Sequence, residues 1–262
     1  MAEISGVAGL LEQGVSPTPV ATKKPQRLAT PVIADFVDQI VGGNFSPGTD
    51  LPSEGNICKY LGISRTVLRE VLKVLEQKGL VRVENGKGTR INERDEWKLL
   101  DPVVLAARLK YDDDRNFINH LVRIRGVLES DMAAEAALNA TPEQLAQMAL
   151  MIDDLRANVR NHSRYFQIDK QFHNAFMLAS GNELGRAIVR NMYSEAQATL
   201  DSGLEDTELE TSLHGHVEIY EAILARDPAH ASKAVLDHIG GGWAARTAKS
   251  DDTPPSHVSV GR

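Results

Sequence analysis

One stretch, from Leu51 to Ile91, constrains the fold more than any other part of the chain. Ser53 and Ser64 are helix-capping residues, each followed by apolar residues at helical spacing, and Gly62 separates the two segments. This pattern predicts a helix, a short turn and a second helix. The second helix has an apolar side and a row of cations four residues apart on another side: Val67, Leu68, Val71, Leu72 and Leu75 against Arg65, Arg69 and Lys73.

A short β-hairpin is predicted directly after the second helix. The alternating segment 80–83 and the segment 89–91 flank a turn, 84–88, that contains two glycines. A helix, a turn, a helix and a glycine-rich hairpin in this order predict a winged helix-turn-helix, which is a DNA-binding domain. The cations of the second helix fit a DNA groove.

Positive charge is concentrated in the same stretch. Residues 59–90 hold eight Lys or Arg against three acids, a net charge of +5 in a chain whose total is −7. A local excess of cations is typical of a surface that contacts DNA phosphates. A solvated helix face would also explain cations at four-residue spacing, but it would not explain the two helices and the wing in this order.

Five short motifs occur in this part of the chain: Pro47-Gly48, Leu51-Pro52-Ser53-Glu54, Leu61-Gly62-Ile63-Ser64-Arg65-Thr66, Leu68-Arg69-Glu70 and Gly79-Leu80-Val81. Their order and spacing resemble the GntR family of bacterial transcription regulators, over about residues 28–92. The resemblance implies that recognition-helix side chains contact the operator and that the wing tip reaches a minor groove. The residues concerned are Arg65, Thr66 and Arg69 on the second helix, and Asn85, Gly86 and Lys87 at the wing tip.

One position departs from the family pattern. The family usually has Arg after the Pro-Ser-Glu motif, and this chain has Gly55 there. One expected base or phosphate contact is therefore missing, which leaves the operator sequence open.

The charge distribution divides the chain into two parts. Residues 1–95 hold 12 basic and 11 acidic residues, whereas residues 96–262 hold 17 and 25, a net charge of −8. An acidic second half suits protein contacts, cations or a sensing pocket better than a phosphate backbone. The predicted organisation is a flexible tail (1–26), a winged helix-turn-helix domain (27–92), a connector (93–109), a helical domain (110–247) and a second flexible tail (248–262).

The sequence also restricts the cellular location that we expect for the protein. No run of apolar residues approaches the roughly 20 that cross a bilayer, and the N-terminus has no basic segment followed by an apolar one. The single cysteine, Cys58, cannot form an internal disulfide. We expect a cytoplasmic protein with no membrane partner.

The second half has helical periodicity throughout. Apolar residues at helical spacing predict helices over 116–140, 163–180, 184–200, 207–226 and 229–248, and Thr141 caps one more. No alternating strand pattern follows residue 92. The predicted fold class is mostly α: an N-terminal winged helix-turn-helix with a small β-hairpin wing, plus a C-terminal all-α helical bundle.

The connector is too apolar to be a free linker. Trp97, Leu99 and Leu100 are expected to pack against one or both domains, and Asp101-Pro102 starts the next helix. Coupling between the domains has to pass through this segment. Its Trp-x-Leu-Leu-Asp-Pro-x-Val-Leu string resembles the connector of the FadR branch of the GntR family, particularly regulators of sugar-acid catabolism.

Four residues in the helical half could bind a cation together. Asp169 and His173 lie four residues apart on one helix, so both project from the same face. His216 and His238 lie on two helices that break at Asp227-Pro228, and an antiparallel pair would bring both rings to one level. A solvent-facing Asp-His pair is the alternative, and His214 competes with His216 but points about 200° away around the helix.

Three imidazoles and one carboxylate suit zinc first, with nickel or manganese as alternatives, rather than calcium or magnesium. No thiolate is present, so the site would stay open to exogenous oxygens. Asp169-x-x-Phe-His, Ser180-Gly181-Asn182, Gly215-His216 and Leu236-Asp237-His238 resemble the ligand-sensing C-terminal domain of the FadR branch, over about residues 110–245. The resemblance implies that Asp169, His173, His216 and His238 hold a divalent metal and that a small carboxylic acid completes its coordination.

The resemblance also assigns Arg125, four residues before Glu129, to the effector site. Its guanidinium could bind an effector carboxylate, or it could form a structural salt bridge. Half-site geometry predicts a homodimer on a palindromic double-stranded operator. The resemblance implies a repressor that is controlled by a small organic acid, and the connector resemblance favours a sugar acid. A metalloenzyme with Glu129 as base and a regulator that senses only metal are the alternatives.

Overall fold

The computed structural model describes residues 25–84, 86–112, 115–200 and 206–251. The chain divides into two compact units, residues 1–114 and residues 115–262. Most of the two predicted tails, residues 1–24 and 252–262, lies outside the described residues. Within the described part of the chain, none of the helices has the length and apolar character needed to span a membrane.

The first unit is a winged helix-turn-helix. Ser53 caps the second helix by accepting a hydrogen bond from the backbone N–H of Asn56, and Ser64 caps the third by accepting from that of Val67. Gly62 ends the second helix in the left-handed conformation, at φ 65°. The elements are α1 (Pro25–Val41), α2 (Glu54–Leu61), α3 (Arg65–Gln77), β1 (Val81–Glu84) and β2 (Gly88–Ile91).

The wing is a two-stranded antiparallel hairpin. β1 pairs with β2 in a register that sets Val81 opposite Ile91 and Glu84 opposite Gly88. Gly86 and Gly88 both have positive φ values, 77° and 110°, which glycine tolerates without a steric cost. The apolar side of α3 is buried in the same core as Ile91 and α1. The predicted fold class of this half is confirmed.

The connector belongs to the core of the first unit. It contains a 3₁₀ turn, Arg94–Glu96, and a helix, α4 (Pro102–Lys110). Trp97 is only 5% exposed, and its indole N–H donates to the carbonyl oxygen of Asn92 at 3.2 Å. Lys78, at the end of α3, donates to both carboxylate oxygens of Asp101 at 2.7 and 2.8 Å. The end of α3 and the start of α4 are therefore connected by this ion pair.

The second unit is helical throughout its described residues. α10 packs against α5 and α9, and α5 packs against α7, whose Tyr165, Phe172 and Phe176 are fully buried. A capping box joins Thr141 and Gln144 at the start of α6. The helices are α5 (Asn116–Asn139), α6 (Pro142–Ala157), α7 (His162–Ser180), α8 (Glu183–Leu200), α9 (Asp206–Leu224) and α10 (Pro228–Asp251).

Two helices extend a few residues into the predicted tails. α1 begins at Pro25, two residues inside the predicted tail, because proline suits the first turn of a helix. α10 continues to Asp251 rather than ending at 247, because no proline interrupts the chain before Pro254.

Candidate metal centre and nucleic-acid interface

Four side chains from three helices converge inside the second unit. Asp169 and His173 come from α7, His216 from α9 and His238 from α10. Each offers one possible ligand atom, and these atoms all lie within 4.8 Å of one another. Asp169, His173 and His216 are buried, whereas His238 is half-buried. This group is called the metal-type cluster below.

The outward nitrogens of two imidazoles are fixed by hydrogen bonds. Nδ1 of His173 lies 2.5 Å from a carboxylate oxygen of Glu129, which only accepts, so this nitrogen carries the proton. Nδ1 of His216 lies 3.3 Å from the hydroxyl of Tyr165. That hydroxyl donates to the carbonyl of Leu209, so its oxygen is left to accept from His216. In the neutral form of each ring, the Nε2 atom directed toward the cluster would therefore be the unprotonated one.

The inward atoms form an electron-rich set. The Nε2 atom of His216 lies 2.9 Å from Oδ1 of Asp169 and 3.3 Å from the Nε2 atom of His173. The Nε2 atom of His173 lies 3.9 Å from the same carboxylate oxygen. Lone pairs that face one another at these distances repel unless a cation lies among them. The donor set therefore fits a divalent metal ion of the zinc type.

The protonation states suit metal ligation. Burial lowers the pKa of His216, against the opposing effect of Asp169, and burial lowers the pKa of His238 well below its ordinary value. Burial alone would raise the pKa of Asp169, but the close approach of His216 and the nearby His173 hold it well below its usual range. Neutral imidazoles beside an ionised carboxylate are the forms that bind a metal at neutral pH.

Glu129 and Arg125 form an ion pair behind the cluster. Nε of Arg125 lies 2.5 Å from one oxygen of Glu129, and the other oxygen accepts a hydrogen bond from Nδ1 of His173. Burial acts to raise the pKa of Glu129, but Arg125 and His173 lower it to about 2. A carboxylate that is engaged at both oxygens and has this pKa is a weak general base. Arg125 forms the structural salt bridge with Glu129. Its side chain is also 11% exposed and lines a cavity.

The structure distinguishes the two neighbouring histidines of α9. His216 is fully buried in the cluster, whereas His214 is exposed. Gly215 between them lies so close to His238 that an added Cβ would stand 2.5 Å from its Nδ1. The contacts of Gly215 and Tyr165 were not predicted from sequence. Tyr165 precedes Asp169 by four residues on α7, and this spacing was the available signal.

A cavity of about 510 Å³ opens beside the metal-type cluster. It lies among α5, α7 and α8, and His173 is the cluster member that lines it. Arg125 and Glu129 line it from α5. A volume of this size falls within the range of small-molecule sites in proteins.

The predicted DNA-contacting residues lie on exposed surface of the first unit. Arg65, Thr66 and Arg69 are exposed on α3, on the side away from its buried apolar residues. Nε of Arg69 lies 3.3 Å from a carboxylate oxygen of Glu54, and this pair is solvent-exposed. Gly86 is exposed at the wing tip, Lys87 is 81% exposed, and Asn85 lies outside the described residues.

Nothing in the described structure sterically requires glycine at position 55, where the family usually has Arg. Gly55 is exposed in the first turn of α2, and an added Cβ would meet no atom within 4 Å. A long cationic side chain would therefore fit at this position.

Comparisons with known proteins cover both units. The family described as bacterial regulatory proteins, gntR family, matches residues 28–91, and the FCD domain matches residues 120–241. The galactonate operon transcriptional repressor of Escherichia coli K12 is 28% identical over 210 residues, which are 79% of this chain and 92% of that protein. The HTH-type transcriptional repressor NanR of Cronobacter sakazakii is 28% identical over 225 residues, 84% of this chain and 85% of that protein.

A solved structure is similar in fold to most of the chain. It is the structure of Lar, described as controlling expression of the Listeria monocytogenes agr system, with a TM-score of 0.56 and 14% sequence identity. The match covers 87% of this chain and 99% of that one. At this identity the similarity shows the fold alone.

Proposed function

Because the chain belongs to the GntR family of bacterial regulatory proteins and has an FCD domain in its second half, we propose that it represses a catabolic operon. In this proposal, its affinity for the operator is controlled by a small organic acid bound at a divalent metal ion. The relatives named above are transcriptional regulators, and this chain is a DNA-binding regulator of the same kind.

The metal-type cluster is the single observation that carries the proposal. Asp169, His173, His216 and His238 can each offer a ligand atom to one ion, and FCD domains in general bind metal. Zinc is the proposed ion, with nickel or manganese as alternatives. Four protein ligands leave room for an exogenous oxygen, because these metals also accept five or six ligands.

The proposed effector is a sugar acid. The cavity beside His173 could seat a small molecule with one carboxylate at the metal, and Arg125 lines the same space. A guanidinium binds a carboxylate with charge-assisted hydrogen bonds. The sugar-acid class is supported by the similarity to a repressor of a galactonate operon.

The proposed DNA complex is a homodimer on a palindromic operator. One winged helix reads only a few base pairs, and a second half-site multiplies the affinity. Arg65, Thr66 and Arg69 would contact the major groove, while Asn85, Gly86 and Lys87 would reach a minor groove. Because the protein would bind chromosomal DNA, its proposed location is the cytoplasm.

The alternatives are less well supported. An enzyme would need a free base near the metal, and both oxygens of Glu129 are engaged by Arg125 and His173. A regulator that senses only metal would have no use for the cavity of about 510 Å³ beside the cluster.

Thermal unfolding with a panel of acids tests this function. The zinc-loaded protein would be melted alone and with galactonate, gluconate, glucuronate, lactate and citrate, each before and after chelation. An acid at about 100 times its dissociation constant adds about 2.7 kcal/mol to the native state. A selective stabilisation that disappears on chelation is expected. Stabilisation by metal alone, with no response to any acid, would contradict the proposal and favour a metal sensor.

A further inference from the structure

The ring of His238 is held in the metal-type cluster differently from the other two imidazoles. His173 and His216 are each oriented by a hydrogen-bond partner at Nδ1, Glu129 for the first and Tyr165 for the second. Within the part of the chain that the structure describes, the imidazole of His238 makes no hydrogen bond. The position of this ring therefore depends on packing alone.

The ring of His238 packs against two imidazoles and against the backbone of α9. Its centroid lies 5.4 Å from that of His173, at an interplanar angle of 28°, and 4.2 Å from that of His216. The backbone contact is at Gly215. A Cβ atom added to Gly215 would lie 2.5 Å from Nδ1, 3.1 Å from Cγ and 3.2 Å from Cβ of His238.

Gly215 has no conformational reason to be glycine. It lies inside the helix α9, where glycine is less favourable than any residue except proline, and its φ is not positive. The three atoms nearest to an added Cβ all belong to the side chain of His238. The space that glycine leaves at this position is therefore the space that His238 occupies.

We propose that Gly215 is a positioning residue, whose lack of a side chain allows His238 to act as the fourth metal ligand. An alanine methyl group at this position would overlap with the imidazole. Because the rings of His173 and His216 limit where the imidazole can shift, it would have to turn away, or α10 would have to separate from α9. Either movement displaces the ligand atom of His238. This inference rests on the proposed function, which supplies the metal ion.

Zinc affinity of the full chain, measured by competition with a chelator, tests this role first. Gly215→Ala is expected to bind zinc about 10- to 100-fold more weakly than the wild type, as is usual when a residue that orients a ligand is changed. Gly241→Ala is the matched control on α10, three residues after His238. A Cβ atom added there would meet no described atom within 4 Å, so this variant should bind zinc as the wild type does.

The visible spectrum of bound cobalt separates a displaced ligand from a general loss of stability. This spectrum depends on the number and kind of the ligands that hold the ion. Cobalt-loaded Gly215→Ala and His238→Ala are expected to share one spectrum, which differs from that of the wild type and of Gly241→Ala. A change that only weakened the fold would leave the spectrum of bound cobalt unaltered.

A double-mutant cycle connects the effect to His238. In a His238→Ala background the overlapping ring is absent, so Gly215→Ala is expected to change zinc affinity by less than about twofold. In the same background it should raise the melting temperature of the metal-free protein, because alanine suits a helix interior better than glycine. If Gly215→Ala alone did not fold, the double variant should still fold as His238→Ala does.

Three results would overturn the inference and leave the proposed function standing. The first is wild-type zinc affinity and a wild-type cobalt spectrum in Gly215→Ala. The second is an equal loss of zinc affinity from Gly215→Ala with and without His238, and the third is a double variant that does not fold although His238→Ala does. Failure of the wild type to bind either metal would instead overturn the proposed function, and this inference with it.

Discussion

His173 and His216 present their Nε2 atoms to each other at 3.3 Å, and each ring is held from behind by a hydrogen bond at Nδ1. Glu129 accepts from His173 at 2.5 Å, and the hydroxyl of Tyr165 accepts from His216 at 3.3 Å. These outer partners fix which nitrogen carries the proton. They should therefore control metal affinity without touching the metal.

Glu129→Gln is expected to weaken zinc binding by about 10- to 100-fold, because an amide accepts the His173 proton less strongly than a carboxylate. The measurement is competition with a chelator of known affinity. The variant also leaves Arg125 without its buried partner, so a loss of folding stability should accompany the loss of affinity. Glu221→Gln on the exposed face of α9 is the matched control. Unchanged zinc affinity in Glu129→Gln would show that the outer hydrogen bond does not tune the site.

His216→Ala is expected to reduce the bound metal to well below one ion per chain, since it removes a buried ligand atom from the set of four. His214→Ala should retain full metal, because His214 is exposed two residues away on the same helix. Metal content after dialysis, measured by atomic emission, compares the two variants directly. If His214→Ala lost as much metal as His216→Ala, the assignment of ligands would be wrong.

Arg65→Ala or Arg69→Ala is expected to weaken specific DNA binding by about 1 to 3 kcal/mol and to reduce the salt dependence of binding. Both side chains are exposed, and the ion pair of Arg69 with Glu54 is too exposed to stabilise the fold substantially. Anisotropy titrations of operator DNA, with circular dichroism of both units, would measure the effect. Lys98→Ala, an exposed cation outside α3 and the wing, should bind as the wild type does. Wild-type affinity in the α3 variants would reject the docking of this helix.

Gly55→Arg is expected to strengthen operator binding by restoring a cation at the start of α2. A side chain at this position meets open space, so the substitution brings no clash. Gly55→Ala is the control, because it provides the same gain in helix propensity, about 1 kcal/mol, without a charge. Operator affinity should therefore rise in Gly55→Arg beyond the level of Gly55→Ala. Equal affinities would mean that position 55 does not face the DNA.

Local sequence signals predicted most of the helices, but they could not decide where the connector packs. Three capping residues predict the starts of helices, and each caps a helix in the structure: Ser53, Ser64 and Thr141. Because Trp97 is apolar, the sequence predicts that its side chain is buried against one or both domains. Its contact with Asn92, inside the core of the first unit, depends on tertiary packing that the pattern does not specify.

The candidate site shows the same division between local and distant information. Asp169 and His173 are neighbours because a helix brings residues four apart to one face. The partners of the rings are far apart in sequence: Glu129 lies 44 residues from His173, and Tyr165 lies 51 residues from His216. These contacts arise from the packing of α5, α7 and α9. The spacing of Tyr165 four residues before Asp169 indicates a shared face of α7, but it does not identify the partner on α9. The metal and effector roles of the site stay predictions.

The central claim is that a small acid acts through the metal to change operator affinity. The most direct test uses duplex DNA selected from a random pool by the full-length protein, titrated by anisotropy with zinc-loaded protein. An acid that stabilises the protein is expected to weaken this binding by about 5- to 150-fold, and the effect should disappear after chelation and in His216→Ala. Operator affinity that is unchanged by every bound acid, or an equal response in metal-free protein, would contradict the claim.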